Sequence, residues 1–137
     1  MMQRDYMLNE ARKMALLLAK LMGLKTESSD EEYQQYFNSI LQDEYNTELE
    51  ELLKASEADF SAMLNERAYS AEKLNALSQM LYVFAEPFNA DEQTASILKK
   101  VLAIFDALET EHHYESFDNL NKRNHIYSFF KANYERI

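Results

Sequence analysis

Apolar residues recur at helical spacing along nearly the whole chain, and residues that start helices stand between the runs. Met7, Ala11, Met14, Leu18 and Leu21 share one face at i, i+4, i+7 spacing, which predicts a first helix over about 3–22. Ala15, Leu17 and Met22 widen that face until the second half is apolar almost all round. Such a helix is buried on several sides or shared with another subunit. Gly23 is expected at the left-handed position that closes this helix, with Lys20 and Lys25 near the negative end of its dipole.

Ser29 followed by Glu32 forms a capping box, and Asp30 and Glu31 favour the positive helix start. The helix it opens buries Tyr33, Tyr36 or Phe37, Ile40 and Leu41. The Thr26–Glu32 stretch also matches an acidic phosphorylation site, but capping accounts for every residue in it. A short helix over about 47–55 carries Leu49, Leu52 and Leu53. Ser56 then caps a segment with Phe60, Met63 and Leu64 on one side. From Ser70, Leu74, Leu77, Leu81, Phe84 and Phe88 step by three and four. Pro87 lacks a backbone donor, so that helix kinks or ends near Glu86.

Asn89 with Glu92 makes a further plausible cap, ahead of a stripe containing Ile97, Leu98, Val101, Leu102, Ile104, Phe105 and Leu108. Ser116 or Asp118 opens the last helix, whose buried side is Leu120, Ile126 or Tyr127, Phe130 and Tyr134. The pattern predicts one all-α domain over 1–137, with six to seven helices in an antiparallel helical-hairpin array or bundle.

Composition supports the same reading. One glycine and one proline in 137 residues leave almost nothing for hairpins or phosphate loops. The absence of cysteine removes disulfides, thiolate metal sites and thiol nucleophiles, and fits a cytoplasmic protein. The apolar run from Met14 to Leu24 is too short to span a bilayer. Asp5, Glu10 and Lys20, with no small-residue cleavage site after Gly23, argue against a signal peptide. No membrane association is expected.

Charge is unevenly spread. Residues 26–66 hold twelve acidic side chains and one basic, whereas residues 1–25 hold five basic and two acidic. An acidic middle repels phosphate backbones, so nucleic acid is not an expected partner.

Two helix pairs share a spacing. Leu21 and Leu24 precede Tyr33, Phe37 and Ile40, as Tyr82 and Ala85 precede Thr94, Leu98 and Val101. The offsets match those of a tetratricopeptide unit, although that unit wants small residues at Tyr33 and Thr94 and glycine at Tyr82. Further landmarks are Arg4-Asp5-Tyr6, Gly23-Leu24-Lys25, Glu31-Glu32, Leu49–Leu53, Ser56-x-x-Asp59-Phe60 and Glu72-Lys73-Leu74. In these the chain resembles a family of short, uncharacterised, all-helical bacterial proteins with tetratricopeptide-like helices. The resemblance implies a helical-hairpin fold and carries over no catalytic residue.

Candidate chemistry is thin. Glu109-x-x-His112 has the spacing that helical di-iron bundles use, but His113 and His125 lack a matching acid, so no cofactor is expected. Asp118 and His125 lie two turns apart and could pair at the surface. No glycine-framed nucleophile turn exists. The C-terminal aromatics interleave with Lys122, Arg123, Lys131 and Arg136, a pattern read here as core packing or a partner groove.

The favoured function is a non-enzymatic helical protein–protein interaction or scaffold module that self-associates, as a possible homodimer. Its interface candidates are Met14, Leu17, Leu21, Leu24 and Phe129. The alternatives are a small metal-binding protein or enzyme using Glu109 and His112, and a small-molecule binder with a pocket among Phe84, Phe105 and Phe130.

Overall fold

The computed structural model describes the backbone of residues 2–134 and the side chains of residues 8–134. Met7 and the Arg4-Asp5-Tyr6 landmark lie outside the described side chains. The fold is all-α: α1 (Met2–Glu27), α2 (Asp30–Tyr45), α3 (Leu49–Lys54), α4 (Glu57–Arg67), α5 (Ala71–Ala85), α6 (Glu92–His112) and α7 (Phe117–Asn133). No strand occurs among the described residues.

Helix starts follow local side-chain chemistry. The hydroxyls of Ser29, Ser56, Ser70 and Ser116 accept from the backbone N–H of Glu32, Asp59, Lys73 and Asn119 at 3.0–3.2 Å. At α6 the cap is Asp91, which accepts from Thr94 N–H at 2.7 Å, and Asn89 stands outside the helix. α5 stops at Ala85, and the Glu86–Pro87 peptide is cis.

Gly23 does not end α1, which continues one further turn to Glu27. The left-handed C-terminal positions belong to Asn46, Ala68 and His113, with φ of 51°, 49° and 51°.

α5 is the central helix. It packs between α1 and α6, and α2 and α4 cover the flanks. Side-chain contacts give the directions. Tyr33 at the start of α2 stacks on Phe84 at the end of α5, so α2 and α5 are antiparallel. Lys25 at the end of α1 reaches the end of α5, so those two run the same way. Arg123 meets Asp106, and Tyr134 donates to the Asp91 carbonyl at 2.9 Å, which sets α7 antiparallel to α6.

Around α5 the core gathers Phe37, Leu41, Tyr45, Leu77, Met80, Leu81, Leu98 and Val101. Each buried side chain of this size contributes about 1.5–3 kcal/mol.

Two helices lack a basic residue in their own last turn and receive one from a neighbour. Lys25 donates to the carbonyls of Val83 and Glu86 at the end of α5. Arg67 donates to the Tyr45 and Asn46 carbonyls at 2.6 and 2.7 Å at the end of α2. Cations at these positions offset the partial negative charge of exposed carbonyls. The last helix is docked through polar groups: Gln79 donates to Asn119 and Asn119 donates to Asn75, both at 2.9 Å. Gln79 and Asn119 are buried, so this amide chain satisfies groups that would otherwise be costly there.

Candidate functional site

The second half of α1 is apolar on nearly every side, and packing decides which side is free. Met14 and Leu21, 2 % and 0 % exposed, turn inward and join the core of this single chain. They are therefore not interface residues. The Met14 thioether lies against the Tyr45 hydroxyl, and the face it shares with Leu21 packs on α2 and α5. Leu17 and Leu24 are half-buried against the same core.

The opposite face carries Leu8 (54 % exposed), Leu16 (68 %) and Met22 (48 %). Ala15, Ala19 and Gly23 run between these large side chains at a four-residue interval, so the free face has a small-residue strip with bulky flanks. A Cβ added at Gly23 would meet nothing within 4 Å, and its φ is not left-handed. Neither crowding nor backbone conformation inside this chain calls for glycine there. Glycine inside a helix costs about 1 kcal/mol relative to alanine.

Phe129 sits in an aromatic cluster. Its ring packs edge-on to Phe88 at 5.3 Å and to Tyr134 at 5.9 Å. Phe88 in turn touches Tyr82 and His125, and the Tyr82 hydroxyl and His125 Nδ1 are 2.6 Å apart. Phe129 thus helps hold α7 to the turn containing Pro87. His125 bonds Tyr82 and not Asp118, whose carboxylate takes Lys122 at 2.7 Å.

Glu109 and His112 do not form a metal centre with other ligands. The Glu109 carboxylate pairs with Arg123 at 3.1 Å, and His112 lies exposed at the last turn of α6. Among the described residues no group of three His, Cys, Asp or Glu side chains is placed to hold an ion.

The three phenylalanines suggested as one pocket are also separated. Phe84 packs on Tyr33 and Phe37, Phe105 lines a cleft at the α6–α7 turn, and Phe130 lines a groove between α4 and α7.

A different cleft, of about 730 Å³, opens between α2, α3 and the start of α6. Gln34, Asn38, Leu53, Gln93 and Ser96 line it. Beneath it lies Lys100, whose side chain is 0 % exposed and whose ammonium nitrogen is 2.7 Å from the Ser96 hydroxyl. Burial pushes the Lys100 pKa below its usual 10.5, and the Glu57 carboxylate opposes that shift. Sequence reasoning passed over this pair because Ser and Lys four apart on a helix are ordinary surface residues. Burial alone sets them apart.

Among the described residues no helix is long and apolar enough to cross a membrane. The fold and the free α1 face define an all-α helical protein with an unpartnered apolar surface. No protein-family model, curated protein or solved structure matches the chain.

Proposed function

We propose that the protein is a helical interaction module that self-associates through the outer face of α1. The observation that carries this reading is Gly23, set in a row with Ala15 and Ala19 between exposed Leu16 and Met22. Small residues at one-turn spacing let a second backbone approach closely, while the flanking large side chains wrap around it. A second copy of the same helix supplies both halves of that fit, and a two-fold axis makes the contact close on itself.

The module's chemistry is recognition. Apolar area leaves water on pairing, and the basic side chains Arg12 and Lys20 border the strip.

Sedimentation over a concentration series tests the reading. The wild-type chain is expected to dimerise. Leu16→Glu and Gly23→Leu are expected to be monomeric with unchanged helical circular dichroism, because both side chains point away from the core. A wild-type chain that stays monomeric throughout the series, or variants that dimerise as tightly as wild type, would overturn it.

A further inference from the structure

The Ser96–Lys100 pair lies away from α1 and has no part in the interaction surface. Several hydroxyls in or just after helices bond back to the preceding turn. Ser28 donates to the Leu24 carbonyl, Ser39 to Tyr36, Ser78 to Asn75 and Thr110 to Asp106, all at 2.6–2.8 Å. Ser96 instead accepts from Lys100 Nζ at 2.7 Å. Lys100 is fully buried, and the nearest acid acting on it, Glu57 of α4, is itself 3.8 Å from Lys99. A buried ammonium needs three acceptors, and a hydroxyl supplies one. Burial and this shortage of acceptors both favour loss of the Lys100 proton.

We propose that Ser96 and Lys100 are a nucleophile and its general base, acting on small acyl esters that enter the cleft between α2, α3 and α6. Serine is a weak nucleophile until a neighbouring base takes its proton, and lysine serves as that base only where burial keeps it neutral. Ser96 itself lines the cleft, whereas Lys100 is shielded behind it. That is the order such a pair requires.

The steps balance without any further reagent. Ser96 Oγ bonds to the acyl carbon as its proton passes to Lys100 Nζ. The ester C–O bond then breaks, and the departing alcohol takes the proton from Lys100. Water repeats the sequence, with Lys100 again accepting and returning the proton, and the carboxylic acid leaves.

The cleft also holds side-chain amides that can donate. Asn38 accepts the Leu49 N–H through its Oδ1 at 2.7 Å, which commits its oxygen and leaves its NH2 as a donor. Gln34 and Gln93 add further amides. Glu48, Glu50, Lys54 and Glu92 stand at the rim, and Lys54 is tied to Glu50 at 2.7 Å. The surplus of acids favours neutral or cationic esters over anionic ones.

The test is covalent labelling of the full chain with a fluorophosphonate, a reagent in which the Oγ–P bond forms as fluoride leaves and Lys100 takes the proton. Peptide mass mapping is expected to place the adduct on Ser96, and Ser96→Ala to remove it. Lys100→Met, with its fold checked by circular dichroism, is expected to label about 100-fold more slowly, within the range general-base catalysis contributes. The wild-type rate should rise with pH as Lys100 loses its proton. Absence of an adduct at Ser96 in the folded wild type, or a Lys100→Met rate within about tenfold of wild type, overturns the assignment.

Discussion

The Tyr45 hydroxyl, at the buried end of α2, donates a 2.7 Å hydrogen bond to the Lys73 carbonyl in the first turn of α5. Burial raises its pKa, so it remains a donor at every physiological pH. Tyr33, at the other end of the same helix, is also buried, but its hydroxyl has no hydrogen-bond partner. The two tyrosines therefore answer differently to loss of the oxygen. Tyr45→Phe should destabilise the fold by about 1–2 kcal/mol. Tyr33→Phe should be neutral or slightly stabilising, since it removes a buried polar group and keeps the ring stacked on Phe84. Urea denaturation of both variants measures the contrast.

The lowered pKa of Lys100 predicts a pH-dependent stability of definite sign. Folding releases its proton, so between the folded pKa and the usual 10.5 the unfolded chain binds more protons. Its penalty is greatest below the folded pKa and fades as pH rises toward the unfolded value. Lys100→Met should therefore be more stable than wild type at neutral pH. The gap should close as the buffer is raised toward the lysine range, and the difference between the two melting curves isolates this residue. Equal pH slopes in both proteins would show that Lys100 is not buried as described.

Ala68 holds a left-handed C-terminal position with φ of 49°, where a Cβ is unfavourable. Ala68→Gly should gain about 1 kcal/mol in thermal or chemical unfolding, because it relieves that strain at the end of α4. Gly23→Ala should gain a similar amount within the monomer through helix propensity. The pair reads as a glycine displaced from where the backbone would use it.

At α6 the expected cap, Asn89, and the observed one, Asp91, separate by mutation. The Asp91 carboxylate accepts the Thr94 backbone N–H, which holds its pKa below the usual carboxylate range. Asp91→Ala should lower the melting temperature, and Asn89→Ala should leave it unchanged. With a depressed pKa, the Asp91 contribution is present above the unfolded carboxylate pKa and disappears as pH falls through the folded one. The two melting temperatures should converge in acid.

Lys25 donates across the end of α5, and Lys25→Met removes that cation while keeping most of the stem packed over Tyr33. The expected cost is about 1 kcal/mol. Faster amide exchange should be confined to the last turn of α5, as hydrogen exchange can show.

Helix identity was legible because its signals are local. Ser29, Ser56, Ser70 and Ser116 cap the helices that follow them, since a cap needs only a hydroxyl three residues before a free N–H. At α6 the local pattern pointed to Asn89, whereas the cap is Asp91, and the packing of Phe88 on Tyr82, His125 and Phe129 accompanies the later start. Gly23 carried the local signature of a helix end. The extra turn of α1 instead brings Lys25 to the carbonyls of α5.

The inward turn of Met14 and Leu21 escaped the sequence pattern for a related reason. Periodicity assigns a buried face only when one side of a helix is polar, and from Met14 to Leu24 Lys20 is the one charged residue of α1.

The sequence by itself determined an all-α chain, the helix starts at Ser29, Ser56 and Ser70, and the acidic surplus of the middle. Those properties depend on neighbours within a turn or two. Tertiary structure decided that Met14 and Leu21 face inward while Leu16, Met22 and Gly23 face out. It also decided that Lys100 lies beneath a cleft with Ser96 as its partner. Both outcomes depend on which helices lie against α1 and α6, and that choice is made by packing across the core rather than by spacing along the chain.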